Sequence, residues 1–199
     1  MCLEAAPCWR RVVLLAFRPW LRAQAQRFRP GLAALVLATL WAFPAHAQDP
    51  CAAFSWDVVH ERSLFGAAPE SLSAAAEPAS APALSPDKLY QLKLLEQSKV
   101  SFAAAPGRKP PAQGAYAGLA RLTLQSAGVY RISLDRPAWV DVLADGVAIA
   151  SKDFQGRPGC DAPHKIVEFV LPAGTPLTLQ FSAGSQDTLK VSVSRSPAQ

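Results

Sequence analysis

The sequence predicts an all-β protein, an antiparallel β-sandwich or jelly roll of about eight to nine short strands with one short N-terminal helix. Two observations carry this prediction. Apolar and polar residues alternate with period two through much of the chain after Asp87, and turn residues separate the alternating runs. Helical patterns do not alternate with these runs, so a parallel α/β fold is not expected.

The first 47 residues have the features of a cleaved secretory signal peptide. A basic flank at 27–30 precedes the apolar run 31–43, and small residues follow up to Ala47. The apolar run has thirteen residues, fewer than the roughly 20 that cross a bilayer. We therefore predict cleavage after Ala47, leaving a bacterial protein that is periplasmic or secreted and has no membrane anchor.

The charge of the chain argues against a nucleic-acid partner once the signal peptide is removed. The full sequence has 20 basic and 15 acidic residues and a net charge of +5. Six of the basic residues and one acidic residue precede Gln48, so 14 of each remain and cancel. Arg108-Lys109 is the only adjacent basic pair in the remainder, which gives no extended footprint for phosphates.

Cys51 and Cys160, the two cysteines that remain after cleavage, predict a disulfide. An even number of cysteines usually pairs in the oxidising compartments outside the cytosol. In the chain-entropy model, a disulfide that closes a loop of this length contributes ~4 to 5 kcal/mol. The alternative is a redox or nucleophilic role for Cys160.

Residues 48–66 are expected to form a short helix tethered by Cys51. Apolar residues recur at helical spacing from Phe54 to Phe65, and Ser55 is the expected cap because its hydroxyl can accept a bond from a free amide of the first turn. The residues expected to face away from the protein are Asp57, His60, Glu61 and Arg62. Residues 67–86 follow as an Ala/Pro/Ser-rich linker, extended or mobile, because they have little apolar surface to bury.

Residues 87–199 are expected to form the β-sandwich domain. In several runs apolar residues such as Tyr130 and Ile132 face one side, while polar residues such as Arg131 and Ser133 face the other. Asp145-Gly146 predicts a hairpin, because both positions tolerate positive φ. The predicted strands are 89–95, 99–103, 116–124, 129–134, 138–143, 147–150, 165–171, 177–181 and 188–193.

One segment, residues 151–164, interrupts the alternating pattern and is the expected binding loop. It is long for a hairpin connection and carries Cys160, and long loops on rigid sandwiches often carry function. Its candidate contact residues are Asp153, Phe154, Gln155, Arg157, Asp161 and His164. A second hypothesis is an apolar recognition platform of Trp139, Phe154 and Tyr116, although large aromatic residues belong to the core more often.

Three stretches resemble bacterial pre-peptidase C-terminal domains. They are AGVYRISL at 127–134, WVDV at 139–142 and LPAGTPLTLQF at 171–181. They are similar to a Gly-x-Tyr strand, an Asp-x-x-Val-like strand and a Leu-Pro-Ala-Gly-Thr turn that recur in that order in the family. The resemblance covers residues 119–193 and implies a β-sandwich that serves as an accessory module of a secreted protein.

A fainter similarity relates His164 and Glu168 to the end of a cupin motif. The stretch HKIVE at 164–168 is followed six residues later by Gly174. This similarity implies a barrel that holds iron or another divalent metal for dioxygenase chemistry, with His60 as the further imidazole. Cupins carry a second histidine two residues before the first, where this chain has Ala162.

No catalytic residue and no cofactor is predicted from the motifs themselves. The sequence has no Gly-x-Ser-x-Gly elbow and no phosphate-cradling or dinucleotide-binding loop. We therefore expect a non-enzymatic binding or interaction module of the cell envelope, whose partner is an envelope protein or a glycan. The competing hypotheses are a small cupin-like metal-dependent oxygenase that uses His164 and Glu168, and a structural envelope protein without a small ligand.

Overall fold

The computed structural model describes residues 49–109 and 114–197, and the predicted signal peptide at 1–47 lies outside them. The strands are β1 (Glu70–Ser73), β2 (Ala83–Leu84), β3 (Leu89–Lys93), β4 (Leu95–Glu96), β5 (Tyr116–Leu122), β6 (Gly128–Leu134), β7 (Trp139–Ala144), β8 (Val147–Ile149), β9 (Ser151–Gly156), β10 (Lys165–Leu171), β11 (Leu177–Gly184) and β12 (Thr188–Arg195). One α-helix, α1, spans Val59–Phe65, and short 3-10 helices span Pro50–Ala53, Pro78–Ser80 and Gln97–Lys99. Within these described ranges, no helix is both long and apolar enough to span a bilayer.

The twelve strands form two mixed sheets. Sheet A has the order β1-β3-β12-β6-β10-β9, and sheet B has the order β2-β5-β11-β7-β8, with β4 also paired to β5. β1 runs parallel to β3 and β2 runs parallel to β5, whereas the other strand pairs are antiparallel. The prediction of a mostly β, sandwich-like protein with a short helix is confirmed, but the sheets contain parallel pairs and more strands than the eight or nine predicted.

Parts of residues 67–86 pair with the two sheets, so the prediction that this segment is only a linker is wrong. This segment supplies β1 to sheet A and β2 to sheet B, and Ala75 exchanges two backbone hydrogen bonds with Leu119. Small side chains allow the close approach, because a Cβ added at Gly118 would lie only 2.4 Å from the Cβ of Ala74. Composition underestimates the order of such a segment, since backbone pairing requires no large apolar side chain.

The apolar core lies between the two sheets. Sheet A contributes residues such as Ile132 and Val191, and sheet B contributes residues such as Leu179 and Phe181, all fully buried. These residues occupy the apolar positions of the alternating runs, as predicted. Each such side chain stabilises the fold by about 1.5–3 kcal/mol through burial.

Two local predictions have opposite outcomes. Asp145 and Gly146 form the predicted hairpin between β7 and β8, with φ values of 50° and 78°. Residues 99–103 form no strand, although one was predicted there. Their alternation arises because Val100 and Phe102 pack against the cluster around Leu119, with no partner strand beside them.

The helix α1 contacts β12, and as predicted Val58 and Phe65 are buried while His60 and Arg62 are exposed, but two positions are reversed. Val59 is 74% exposed, whereas Glu61 is completely buried. Ser55 does not cap the helix: Val58 is the N-cap residue, and Asp57 Oδ1 instead accepts a hydrogen bond from the Val59 amide at 3.1 Å. The buried charge of Glu61 has partners on sheet A, which hydropathy spacing does not take into account.

Residues 151–164 are not one long loop. Their first part is β9, which pairs with β10 as the edge strand of sheet A, and only residues 157–164 connect the two strands. The Arg157 amide donates to the carbonyl of His164 at 2.8 Å and closes this connection. The prediction is wrong for β9 because an exposed polar edge strand has the composition of a loop.

Candidate functional site

A cavity of about 410 Å³ opens between the two sheets at the edge where β8 and β9 lie. β7 and β8 of sheet B form one wall, β9 and β10 of sheet A form the other, and the chain passes from β8 to β9 through Ala150. We call this cavity the edge pocket. Its apolar lining includes Val140, Ile149, Phe154, Val167 and Phe169. Its volume is within the range of about 300–1,000 Å³ that is usual for small-molecule sites.

Lys165 and Trp139 also line the edge pocket, and they form a pair. Lys165 Nζ lies 4.8 Å from the centre of the Trp139 ring and donates a hydrogen bond to the carbonyl of Ala138 at 3.2 Å. Burial lowers the pKa of Lys165, and the charge of Arg108 lowers it as well, while Asp141 acts in the opposite direction. The pocket thus holds an ammonium group that has lost part of its hydration.

Asp141 is the carboxylate of the edge pocket, and neutral donors occupy both of its oxygens. Oδ1 accepts a hydrogen bond from Trp139 Nε1 at 2.8 Å, and Oδ2 accepts one from the Gly107 amide at 3.1 Å. These bonds fix the orientation of the indole and attach the segment around Gly107 to β7. Asp141 was predicted to face solvent, but it is only partly exposed because this segment lies against it.

A second cavity of about 420 Å³ shares Lys165 and Trp139 with the edge pocket. Its lining includes Arg108, Lys109 and His164, and we call it the basic pocket. In the part of the chain that the structure describes, the ion pairs involve none of Arg108, Lys109 and Lys165. The two cavities together place an apolar space beside three positive charges that form no ion pair among the described residues.

Two of the predicted contact residues line these cavities. Phe154 lies on β9, opposite Val167, at the edge pocket and is 64% exposed. His164 precedes β10 and lines the basic pocket. Asp153 and Asp161 are exposed and line neither cavity, and Asp153 Oδ1 accepts a hydrogen bond from the amide of Phe154 at 2.7 Å.

Gln155 and Arg157 hold the N-terminal segment instead of facing a pocket. Gln155 Oε1 accepts a hydrogen bond from the Ser55 amide at 3.0 Å, and Arg157 Nε donates to the carbonyl of Ala53 at 2.5 Å. The guanidinium of Arg157 also lies 5.2 Å from the centre of the Phe54 ring. Both residues therefore have a structural role that their position in the sequence did not indicate.

Cys51 and Cys160 form the predicted disulfide across a sequence separation of 109 residues. Cys160 is 3% exposed, and Cys51 lies in the 3-10 helix that precedes α1. The bridge ties the N-terminal segment to the connection between β9 and β10. Because its sulfur is covalently paired, Cys160 is not available as a thiolate for the alternative redox or nucleophilic role.

A buried cluster of charged residues lies on the face of sheet A opposite the core, beneath α1. Arg131 Nη1 lies 3.3 Å from Glu61 Oε1, and Arg131 Nε lies 2.9 Å from Glu168 Oε1, with each side chain at most 3% exposed. Arg131 also donates to the carbonyl of Asp57 at 2.6 Å, and its guanidinium lies 4.8 Å from the centre of the Trp56 ring. The predicted solvent-facing position of Glu168 is wrong, because α1 and the segment before it cover this face.

Further hydrogen bonds reach three of the four carboxylate oxygens of this cluster, whereas Glu61 Oε2 is buried without a partner among the described residues. Ser194 Oγ donates to Glu61 Oε1 at 2.9 Å, Ser196 Oγ donates to Glu168 Oε1 at 2.7 Å, and Lys152 Nζ lies 3.3 Å from Glu168 Oε2. Burial raises the pKa of Glu168, but the bonds from Ser196, Arg131 and Lys152 outweigh burial and hold the pKa below its ordinary value. We call Glu61, Arg131 and Glu168, with the side chains that donate to the two carboxylates, the charged layer.

The residues of the metal hypothesis do not fit a metal site. Glu168 has both oxygens engaged in the charged layer, and His60 Nε2 lies 2.8 Å from Asp87 Oδ1. His164 lines the basic pocket together with Arg108, Lys109 and Lys165. Across residues 49–109 and 114–197, no three His, Cys, Asp or Glu side chains converge as ligands for an ion would.

Sequence reasoning did not identify Lys165 and Ile149 as site residues and assigned no role to Arg108 and Lys109. Arg108-Lys109 is the only adjacent basic pair after the predicted signal peptide, and Lys165 is the first residue of an apolar run. Neither signal indicates that these positions meet, because they lie far apart in the chain. Of the predicted aromatic platform, Trp139 and Phe154 line the edge pocket, whereas Tyr116 packs against the core from β5.

Comparison with known proteins adds no relative to this description: no family model matches the chain, and no curated protein matches it. The resemblances to pre-peptidase C-terminal domains and to cupins therefore remain predictions. The geometry of the two cavities is the basis for the function proposed below.

Proposed function

We propose that the chain is an exported, non-enzymatic binding module of the bacterial cell envelope, and that it binds an envelope component in the edge pocket. The observation that carries this proposal is the cavity of about 410 Å³ with largely apolar walls. A concave apolar cavity with a few polar groups at one place is the usual form of a ligand site.

The disulfide supports export. Disulfides form and persist in oxidising compartments and are rare in the cytosol, and Cys51 is bonded to Cys160. The signal peptide predicted for residues 1–47 would deliver the chain to such a compartment. These two features together support a periplasmic or secreted location.

The polar groups of the edge pocket suit holding a ligand better than transferring a proton. Both oxygens of Asp141 accept hydrogen bonds from neutral donors, and Lys165 donates to a backbone carbonyl beside the Trp139 ring. General acid–base catalysis needs a group that can exchange a proton with the substrate. The sandwich-like fold, and the resemblance of residues 119–193 to accessory domains, support a binding role.

The exposed apolar side chain at the rim of the pocket supports the same proposal. Phe154 lines the pocket and is 64% exposed. An aromatic side chain at the mouth of an apolar cavity is placed to contact a bound ligand. Apolar walls favour an envelope component with an apolar part over an unsubstituted glycan, whereas an envelope protein could insert an apolar side chain.

The experiment is a calorimetric titration of the protein purified from the periplasm with its disulfide intact. The panel contains envelope glycan fragments, an extract of envelope lipids and synthetic apolar peptides. Ile149→Trp fills the edge pocket, and Val170→Trp makes the same type of change at a residue that is 59% exposed and lines neither cavity.

We expect at least one panel member to bind, with binding lost in Ile149→Trp and kept in Val170→Trp. Circular dichroism and thermal unfolding would verify that Ile149→Trp is folded. Phe154→Ala provides a second test, because this exposed residue can be truncated without opening the core, and it should weaken binding about tenfold. Binding that is equal in all variants would place the site elsewhere and refute the proposal.

A further inference from the structure

We propose that the ligand of the edge pocket is a small amphiphile that has an apolar body and one anionic group. This inference rests on the proposed function and adds the chemical class of the ligand. The apolar body would lie between β7–β8 and β9–β10, and the anionic group would lie beside Lys165 where the edge pocket meets the basic pocket.

The apolar part of the inference follows from the walls of the edge pocket. Val140, Val167 and Phe169 line the pocket from the side of the core, and all three are at least 95% buried. Phe154 extends the same surface to solvent at the rim. A ligand that displaced water from Phe154 and the partly buried Ile149 would bury apolar surface, which is the main favourable term for such a site.

The anionic part follows from the bonding of Lys165. Its ammonium group has three N–H donors, and the carbonyl of Ala138 accepts a hydrogen bond from it at 3.2 Å. Within the described part of the chain no second acceptor is bonded to Nζ, and Trp139 covers one side of the group. An anion at the junction of the two cavities could accept a charge-assisted hydrogen bond from the donors that remain.

Other charges around the junction also favour an anion. Arg108 and Lys109 line the basic pocket with Lys165, and none of the three belongs to an ion pair among the described residues. Asp141 is the opposing charge, and its oxygens are already hydrogen-bonded to Trp139 and Gly107. Three cations against one carboxylate leave a positive potential where the apolar pocket opens.

The pKa of Lys165 agrees with this geometry. Burial is the first cause of its lowered pKa and the neighbouring charge of Arg108 is the second. The protonated form of Lys165 is therefore less stable than that of a fully hydrated lysine. A bound anion would offset both effects. A neutral or cationic ligand in the same place would offset neither.

The test compares probes that share one apolar body and differ in the head group. Decanoate and decyltrimethylammonium, each below its micelle concentration, and decan-1-ol below its solubility limit are titrated into the disulfide-intact protein by calorimetry. We expect decanoate to bind about tenfold more tightly than decan-1-ol, the size of effect expected for one hydrogen bond to a charged group, and the cation to bind most weakly. Naphthalene-2-carboxylate distinguishes an aromatic body from an acyl chain, since either would carry the same anionic group.

Variants assign the preference to Lys165. Lys165→Met keeps an unbranched side chain beside Trp139 and removes the charge, so it should lower the affinity for decanoate about tenfold and leave that for decan-1-ol unchanged. Arg108→Gln should lower the affinity for decanoate by a smaller factor. Lys88→Met is the matched control, because Lys88 is exposed, lines neither cavity and should affect no probe.

Two outcomes would overturn the inference. If decan-1-ol binds as tightly as decanoate, the pocket binds apolar ligands without regard to charge; the proposed binding function then stands and the anionic class is wrong. If no probe binds while a panel member still binds in a manner that Ile149→Trp abolishes, the site holds a different class of ligand. Loss of the panel binding as well would refute the proposed function itself.

Discussion

The molecule has two buried layers of different chemistry on the two faces of sheet A. The face toward sheet B is the apolar core, with Ile132 on β6 and Val191 on β12. The opposite face holds the charged layer, where Arg131, on the same strand as Ile132, lies between Glu61 and Glu168. Neighbouring residues of one strand thus reach equal burial by different means.

This difference shows that alternation of polarity assigns the face of a strand residue but not its exposure. On β6 the apolar positions predicted for the core are buried, and Arg131 and Ser133, predicted for the other face, are buried as well. Over Arg131 the cover is α1, which contributes the Glu61 carboxylate. An apolar core is stabilised by loss of apolar surface to water. A charged layer is stable only when each charge has a partner, so the two layers should respond differently to substitution.

Removal of the central cation should have the largest effect. Arg131→Leu leaves Glu61 and Glu168 buried without their shared partner, and the free energy of unfolding should fall by about 3–5 kcal/mol. Urea denaturation followed by tryptophan fluorescence measures this. Arg121→Leu is the control, because Arg121 is an exposed strand residue, and it should change stability by less than about 0.5 kcal/mol. Equal effects of the two changes would show that Arg131 contributes no more to the free energy of unfolding than an exposed arginine does.

Acid should weaken the charged layer before the core. The pKa of Glu168 is lower in the folded protein than in the unfolded chain, where it is about 4.3, so the stabilisation is complete above that value. It is lost as the pH falls through the folded pKa, because the unfolded chain takes up the proton first. Unfolding free energies measured from pH 7 to pH 3 should fall less steeply in Glu168→Gln than in the natural protein. Glu77→Gln, at an exposed position, should leave the slope unchanged.

Replacement of all three charges should cost much less than the loss of one. In the triple variant Glu61→Leu, Arg131→Met and Glu168→Leu no unpaired charge remains buried among them, and stability should return to within about 1–2 kcal/mol of the natural protein. The same denaturation experiment gives the value. If the triple variant is as unstable as Arg131→Leu, the three charges stabilise the packing of α1 on sheet A more than apolar side chains do in their place.

The smallest effect should come from the apolar residue that the helix presents to solvent. Val59→Ser should change the free energy of unfolding by no more than about 0.5 kcal/mol, because Val59 is 74% exposed. Phe65→Ala, at the buried end of the same helix, should cost several times more. If Val59→Ser had the larger cost, the orientation of α1 described above would be wrong.

The candidate site shows which of its residues a local sequence pattern can predict. Residues 151–164 were selected because they interrupt the strand pattern, and two of their members, Phe154 and His164, line the cavities. Lys165 and Ile149 were not selected, because each looks like an ordinary strand residue in sequence. Their proximity depends on which strands become edges, a consequence of pairing between distant parts of the chain.

The sequence by itself determined the β class, the apolar faces of the core strands, the hairpin at Asp145-Gly146 and the pairing of Cys51 with Cys160. These properties depend on local periodicity, turn stereochemistry and the number of available thiols. Only the tertiary structure decided that residues 67–86 join both sheets, that Glu61 faces inward and that Lys165 stands beside an apolar cavity. The physical reason is that burial of a charge or a backbone segment depends on partners supplied by distant residues, and no local pattern specifies them.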